Sequence, residues 1–211
     1  MSLVFDTVII VFLYVMFGLS HTVLASRNLK RKIADSLGDK IAFYRLFYNV
    51  SSMIFLLALY EVAPKPDVII YDLDYPYDII ILGLQIFALI GFVWTLKYFD
   101  GNEFLGINQV RRYFNDSYNV ADLDEQSQLV TNGAYKICRH PIYFFSILIL
   151  GLRPTMDFFY LVSFICITIY FYAGSIFEER KLEQVFGVRY SNYKKDVSGI
   201  IPVKLFFKRK P

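Results

Sequence analysis

The sequence predicts an all-α protein that crosses a membrane about five times. Three observations carry that prediction. First, 56% of the 211 residues are hydrophobic and 18% are aromatic, against roughly 45–50% apolar residues in an ordinary soluble domain, and the mean hydropathy is positive. Second, the apolar residues gather into separate runs, several of them close to the ~20 residues that cross ~30 Å of hydrocarbon. Third, Lys and Arg stand at the ends of those runs, where they set topology and meet lipid headgroups.

Residues 4–25 form the first span, with Asp6 near its start and His21 near its end. His21 reads as an interface or interhelical hydrogen-bonding residue. Five Lys/Arg within 27–40 make the following loop cytoplasmic by the positive-inside rule, so the N-terminus is expected outside. The first run has no basic n-region and no A-x-A-like cleavage site, so it reads as a mature helix and not a signal peptide. Residues 42–61 return outward. Their first turns carry Arg45, Tyr48, Asn49 and Ser52 on one helical face, either turned toward the bundle interior or snorkelling to the interface. Residues 62–77 hold three prolines and three aspartates against one lysine, which suits an outer loop. A third span covers 78–97, with Trp94 and Lys97 as interface anchors. The stretch 98–132 reads as a cytoplasmic amphipathic helix followed by a loop, longer than a plain connector requires.

The apolar run 141–152 is short for a complete crossing. It reads as one arm of a helical hairpin that turns at 153–157 and returns through 158–177, which puts both ends of the hairpin in the cytoplasm. Residues 178–195 read as one amphipathic helix, and the tail from 178 holds nine Lys/Arg. The chain is thus expected to be a single integral-membrane domain: three N-terminal spans in 1–97, a cytoplasmic loop in 98–132, a site-bearing region in 133–202 and a basic tail in 203–211. The C-terminus is expected in the cytoplasm.

Composition also removes function classes. There is no G-x-G-x-x-G or G-x-x-x-x-G-K-[ST] run, and no basic groove interleaved with aromatics for nucleic acid. Cys138 and Cys166 are too few and too far apart for a CxxC pair or a zinc site. His21 and His140 are the only histidines and no H-E-x-x-H occurs, so no metal centre is expected.

What remains is a polar constellation at the hairpin ends. Tyr135, Arg139, His140 and Tyr143 precede or open the first arm; Glu178, Glu179 and Arg180 follow the second. Pro141 suits the first helical position, where a missing N–H costs nothing. Arg139 together with the free N–H groups of that helix start would favour an anion; equally, Arg139 could pair with Glu178 or Glu179 and only pin the hairpin. Carboxylates at a membrane boundary call for cationic partners, and a ligand bearing both charges would suit the whole set.

Gly133-Ala134-Tyr135, Arg139-His140-Pro141-x-Tyr143, Glu178-Glu179-x-x-Leu182, Phe186-Gly187-x-x-Tyr190-x-x-Tyr193 and Ile201-Pro202 resemble the C-terminal signature of the isoprenylcysteine carboxyl methyltransferase family. His21, Phe99-Asp100, Phe104-x-Gly106-x-x-Gln109, Arg153-Pro154-Thr155-Met156 and Gly174 look closer to its methanethiol S-methyltransferase branch and bacterial relatives. The resemblance implies about five transmembrane helices and S-adenosylmethionine held on the cytoplasmic side by the C-terminal half. It implies Arg139, His140 and Glu179 as catalytic residues, and Tyr135, Arg139, His140, Pro141, Tyr143, Glu178 and Glu179 around the cofactor. Arg45, Asn49 and Arg153, with Glu178 again, are candidates for the acceptor side. Ala134 stands where that family usually has proline and Phe145 where it usually has glycine, a ring that could narrow the space beside cofactor or acceptor.

The expected reaction is methyl transfer to a small or lipophilic thiol, in which the protein chiefly holds the reactants close and aligned. The alternatives are methylation of a carboxylate or amine on a lipid-like acceptor, a sterol-reductase-like NADPH enzyme, and a non-catalytic NnrU-like membrane protein. The lipid bilayer and the methyl acceptor are the expected partners.

Overall fold

A computed structural model describes residues 2–120, 123 and 128–207. Helix α1 spans Leu3–Ala25, and the side chain of Ser2 caps it by accepting from the Phe5 N–H. At ~1.5 Å per residue, its 23 residues are long enough to cross a bilayer. Ser26 then ends α1 and caps α2, Arg27–Leu37. The stretch 27–40, read from sequence as a loop, is therefore largely helical. The reason is local: Ser26 supplies the cap, and Ile33 and Ala34 form an apolar stripe against Ile41, Tyr44 and Tyr48. A 3₁₀ turn over Gly38–Phe43 leads into α3, Tyr44–Val62.

Strand β1, Ile69–Asp72, interrupts the expected outer loop and pairs antiparallel with β2, Thr155–Asp157. Four residues carry too little periodicity to announce a strand, and the pairing exists only because the hairpin turn supplies a partner. Thr155 Oγ1 fastens it by donating to Asp72 Oδ1 at 2.6 Å. Helix α4 is Tyr77–Leu96. The amphipathic helix expected after it is split into α5, Gly101–Leu105, and α6, Ile107–Phe114. Gly106 makes the break at φ +93°, and a Cβ there would lie 2.7 Å from the Leu46 backbone nitrogen, so α3 can approach only a glycine.

Helix α7, Pro141–Gly151, is the short arm of the hairpin, and α8, Phe158–Phe186, is the returning one. The single helix expected over 178–195 does not form. Helix α8 runs on past the apolar run to Phe186, Gly187 turns the chain at φ +52°, and α9, Val188–Asp196, starts afresh. A last short helix, α10, is Val203–Phe207. Parts of the expected 98–132 loop and of the basic tail, 208–211, lie outside the described residues.

Among the described residues, four helices are long and apolar enough to cross a membrane, and α7 is a shorter apolar one. Their large apolar side chains face outward, as with Phe12, Phe87, Ile169 and Phe177, an arrangement that hydrocarbon tolerates and water does not. The protein is an all-α, multi-pass membrane protein.

The chain packs into two compact units. One contains α1, α2, α3, α5 and α6. Within it Tyr48 meets the His21 ring by its hydroxyl, 3.0 Å from Nδ1, which makes His21 the expected interhelical residue. The other contains α4 and α7–α10 with the two strands. There Gln85 Nε2 donates to the Ile149 carbonyl at 2.8 Å, and the Phe145 ring lies directly against Gly91.

Candidate active site

The site is assembled where α7 begins, where α8 passes its apolar run and where the chain crosses back after α9. Three backbone features place it. Gly133, at φ +56°, opens a 3₁₀ turn over Gly133–Lys136, and the Tyr98 ring occupies the space a side chain would need. The Arg139 N–H donates to the carbonyls of Ser198 (2.8 Å) and Gly199 (2.9 Å). Pro141, buried at the first position of α7, lets the helix start immediately behind His140.

Glu179 is the hub. It is buried, and its Oε1 accepts from Arg139 Nη2 (2.6 Å), Arg139 Nε (2.9 Å) and His140 Nε2 (3.1 Å). Its Oε2 meets Lys194 Nζ at 3.0 Å, and Lys194 also binds Glu183 Oε1 at 2.9 Å. Arg139 Nη1 donates to the carbonyls of Lys194 (3.3 Å) and Val197. The guanidinium does pair with a glutamate, as one sequence reading had it. Its Nε and Nη2 both engage that carboxylate.

Glu178 differs because adjacent residues on a helix point about 100° apart. Its side chain is half exposed, and its Oε2 accepts from the Tyr143 hydroxyl at 3.1 Å and lies 3.4 Å from His140 Nδ1. The imidazole thus sits between two carboxylates, one buried and one open. The rings of His140, Tyr143 and Phe171 stack in parallel, with centroids 5.3 and 4.8 Å apart and planes within 6°.

Burial and charge act together on the ionisable groups here. Burial works to lower the His140 pKa, but the hydrogen bonds and charges of Glu178 and Glu179 outweigh it and hold the ring above its ordinary 6.5. Burial, reinforced by the Glu178 charge, pushes the Tyr135 phenol up to about 12, and burial pushes the Cys138 thiol up to about 12. Tyr190 and Tyr193 are raised well above the ordinary phenol value, mainly by burial. The hydrogen bonds to Glu183 and then Glu179 raise Lys194.

Of the residues singled out by sequence, Tyr135, Arg139, His140, Pro141, Tyr143, Glu178 and Glu179 belong to one neighbourhood. Arg153 lies at the opposite end of α7, where Nε donates to the Thr155 carbonyl (3.2 Å) and the guanidinium covers the Tyr160 ring at 3.7 Å. Arg45 Nε and Asn49 Nδ2 both donate to the Phe104 carbonyl, at 2.7 and 2.8 Å, and so hold the α5–α6 elbow on α3 within the other unit. Sequence reasoning missed Lys194 and Phe171. Lys194 is 15 positions beyond Glu179, and only the turn at Gly187 returns it; that glycine was the available signal. Tyr190 and Tyr193 pack α9 onto the hairpin as expected: Tyr190 is fully buried and the Tyr193 hydroxyl donates to the Tyr135 carbonyl at 2.6 Å.

The donor set fits a cationic ligand with polar arms. Among the described residues, Glu178, Glu179 and Glu183 gather beside the permanent cations Arg139 and Lys194, three carboxylates to two cations in this cluster. A stack of aromatic faces adjoins its open carboxylate, a setting that attracts cations. The Tyr190 hydroxyl is buried with no hydrogen-bond partner among the described residues, an unused donor beside the same cluster.

Residues 79–189 match the phospholipid methyltransferase family. The chain belongs to that family. It is 30% identical over 193 residues to methanethiol S-methyltransferase 1 of Bradyrhizobium diazoefficiens, covering 90% of this chain and 65% of that protein. It is also 29% identical over 205 residues to methanethiol S-methyltransferase of Crocosphaera subtropica, covering 95% and 76% of the two chains. With methanethiol S-methyltransferase of Pseudomonas deceptionensis the identity is 24% over 193 residues, covering 91% and 71%. The chain thus spans about two thirds to three quarters of the length of these relatives. No solved structure matches the chain. The family match ends at Arg189 and so takes in α7, α8 and both glutamates; Lys194 and the Ser198–Gly199 turn, which complete the Glu179 and Arg139 contacts, lie beyond it.

Proposed function

We propose that this protein is an S-adenosylmethionine-dependent membrane methyltransferase whose acceptor is a small or lipophilic thiol. The observation that carries the proposal is the pair of adjacent glutamates, one locked by cations and one open beside three stacked rings. Similarity over most of the chain to proteins named methanethiol S-methyltransferase supports the thiol as acceptor. When bound, the donor supplies a methyl group on a cationic sulfonium, already activated for in-line displacement. The protein's part is placement, which is worth roughly 7–11 kcal/mol of barrier when reacting groups are held aligned.

In this reading Tyr135, His140, Pro141, Tyr143 and Glu179 surround the donor, and Arg139 fixes Glu179. Glu178 faces the reacting sulfur. The basic segment after α1 and the basic C-terminal region support a topology with the N-terminus outside and the site on the cytoplasmic side.

The test is incubation of membranes containing the protein with methyl-labelled S-adenosylmethionine and a panel of thiols, fatty acids, lipid amines and prenylcysteines. Label in volatile thioethers is the expected result. Label in extracted lipid instead moves the acceptor to a lipid carboxylate or amine, and no transfer together with no donor binding by calorimetry sinks the methyltransferase reading.

A further inference from the structure

We propose that Glu178 accepts the proton of the attacking thiol and that His140 then holds that proton between two glutamates. The proposal rests on the thiol reading above. A thiol of ordinary pKa near 8.5 is mostly protonated at neutral pH, yet the thiolate is the nucleophile. One proton must therefore leave for each methyl transferred. The S–H bond breaks and its proton goes to Glu178. The sulfur's electron pair forms the new bond to the methyl carbon, and the carbon's former bond to sulfur breaks with its pair left on the donor. No further reactant is needed.

The neighbourhood leaves few acceptors for that proton. Glu179 is held by Arg139, His140 and Lys194. Arg139 and Lys194 are cations. Tyr135, Cys138, Tyr190 and Tyr193 all keep their protons at neutral pH. Glu183 is paired with Lys194, whereas Glu178 is half exposed with Tyr143 and His140 as its partners among the described residues.

What distinguishes this glutamate from a surface one is the ring behind it. His140 Nδ1 lies 3.4 Å from Glu178 Oε2, while Nε2 is tied to Glu179 Oε1 at 3.1 Å. A neutral imidazole donating to Glu179 turns its Nδ1 lone pair toward Glu178, so a proton arriving on that carboxylate has a basic nitrogen next to it. Once transferred, it makes an imidazolium that donates to both glutamates. The groups that act on the ring are Glu178 and Glu179 from α8 and, stacked on it, Tyr143 from α7, while Cys138 meets the His140 backbone and Arg139 shares Glu179 with it. Lys194 and Tyr190 of α9 act on it through Glu179. The two carboxylates dominate, which is why the ring is a stronger base than a free histidine. The stack of Tyr143 and Phe171 holds its plane fixed.

The test compares the intact protein with its Glu178→Gln and Glu178→Asp variants in detergent micelles, against a series of thiols from acidic aryl thiols to alkanethiols. Loss of a positioned general base costs about 10²–10⁴-fold. Glu178→Gln is therefore expected to lose about 10²–10⁴-fold on alkanethiols and under about tenfold on aryl thiols that are already ionised, with Glu178→Asp in between. Two readouts are independent of turnover: S-adenosylhomocysteine affinity by calorimetry, expected to stay within about tenfold, and the His140 titration by NMR, expected to move to lower pH in Glu178→Gln. The chain has two histidines, so a His21→Gln background leaves one signal to follow. Equal loss on every thiol, or a His140 titration that does not move, overturns the relay. Failure of the unaltered protein to methylate any thiol overturns the thiol reading itself, and the relay with it.

Discussion

Replacing Glu179 with glutamine removes the charge from a carboxylate that three basic groups share. Two of them are largely shielded from solvent: the Arg139 side chain is 10% exposed and the His140 side chain 4%. Stripping one partner from a buried ion pair costs about 3–5 kcal/mol, because the remaining charge is left without compensation. The third partner, Lys194, is 40% exposed, and solvent screening limits such an arm to under about 1 kcal/mol. The glutamine oxygen can still accept one bond, and Arg139 keeps its donations to the Lys194 and Val197 carbonyls. The expected loss is therefore at the lower end, about 3 kcal/mol, roughly a hundredfold in the folding equilibrium. Reversible unfolding in mixed micelles, followed by circular dichroism, measures it. Glu178→Gln is the internal control: that carboxylate is half exposed and is expected to cost no more than about 1 kcal/mol. If Glu179→Gln costs less than 1 kcal/mol, or no more than Glu178→Gln, the hub does not hold the hairpin ends together and the reasoning fails.

Three further outcomes follow from the same packing. Gly91→Ala puts a methyl group into the Phe145 ring and should cost about 1–3 kcal/mol by overpacking; the same change made in a Phe145→Ala background should cost less, and simple additivity of the two losses would show that the two sites do not touch. Because the His140 pKa is raised on folding, the stability it contributes is fully present below pH 6.5 and is lost as pH rises through its folded value. The stability gap between the unaltered protein and His140→Gln should accordingly narrow above pH 6.5, and a gap that widens there refutes the assignment. Cys138 is fully buried with its thiol pushed to about 12, so a maleimide at pH 7 should label it only after unfolding; mass spectrometry of native protein would reveal any exception.

The Gly91 contact also answers the concern raised by Phe145. The ring is buried against α4, and the glycine that the related signature carries after Arg139-His140-Pro141 has its counterpart here on the facing helix. One element lacks a side chain so that the other can have a large one. Sequence could not reveal this, since the two positions are 54 apart and nothing local links them.

The membrane class, the apolar runs and the Tyr135/Arg139/His140/Tyr143 and Glu178/Glu179 clusters were legible in the sequence alone, whereas Lys194 and Phe171 were not. The legible features follow from properties of contiguous residues: run length against hydrocarbon thickness, charges at run ends, and the linked motifs from Gly133 to Pro202. Tertiary structure decided how the constellation is wired. Glu178 and Glu179 are indistinguishable as neighbours in the chain, and only the approach of Arg139 and His140 from one segment and Lys194 from another made one a buried hub and left the other open. The same holds for the strand pair at 69–72 and 155–157, and for the break at Gly106. Each depends on a partner far away in sequence, and the energy that fixes it exists only once that partner has arrived.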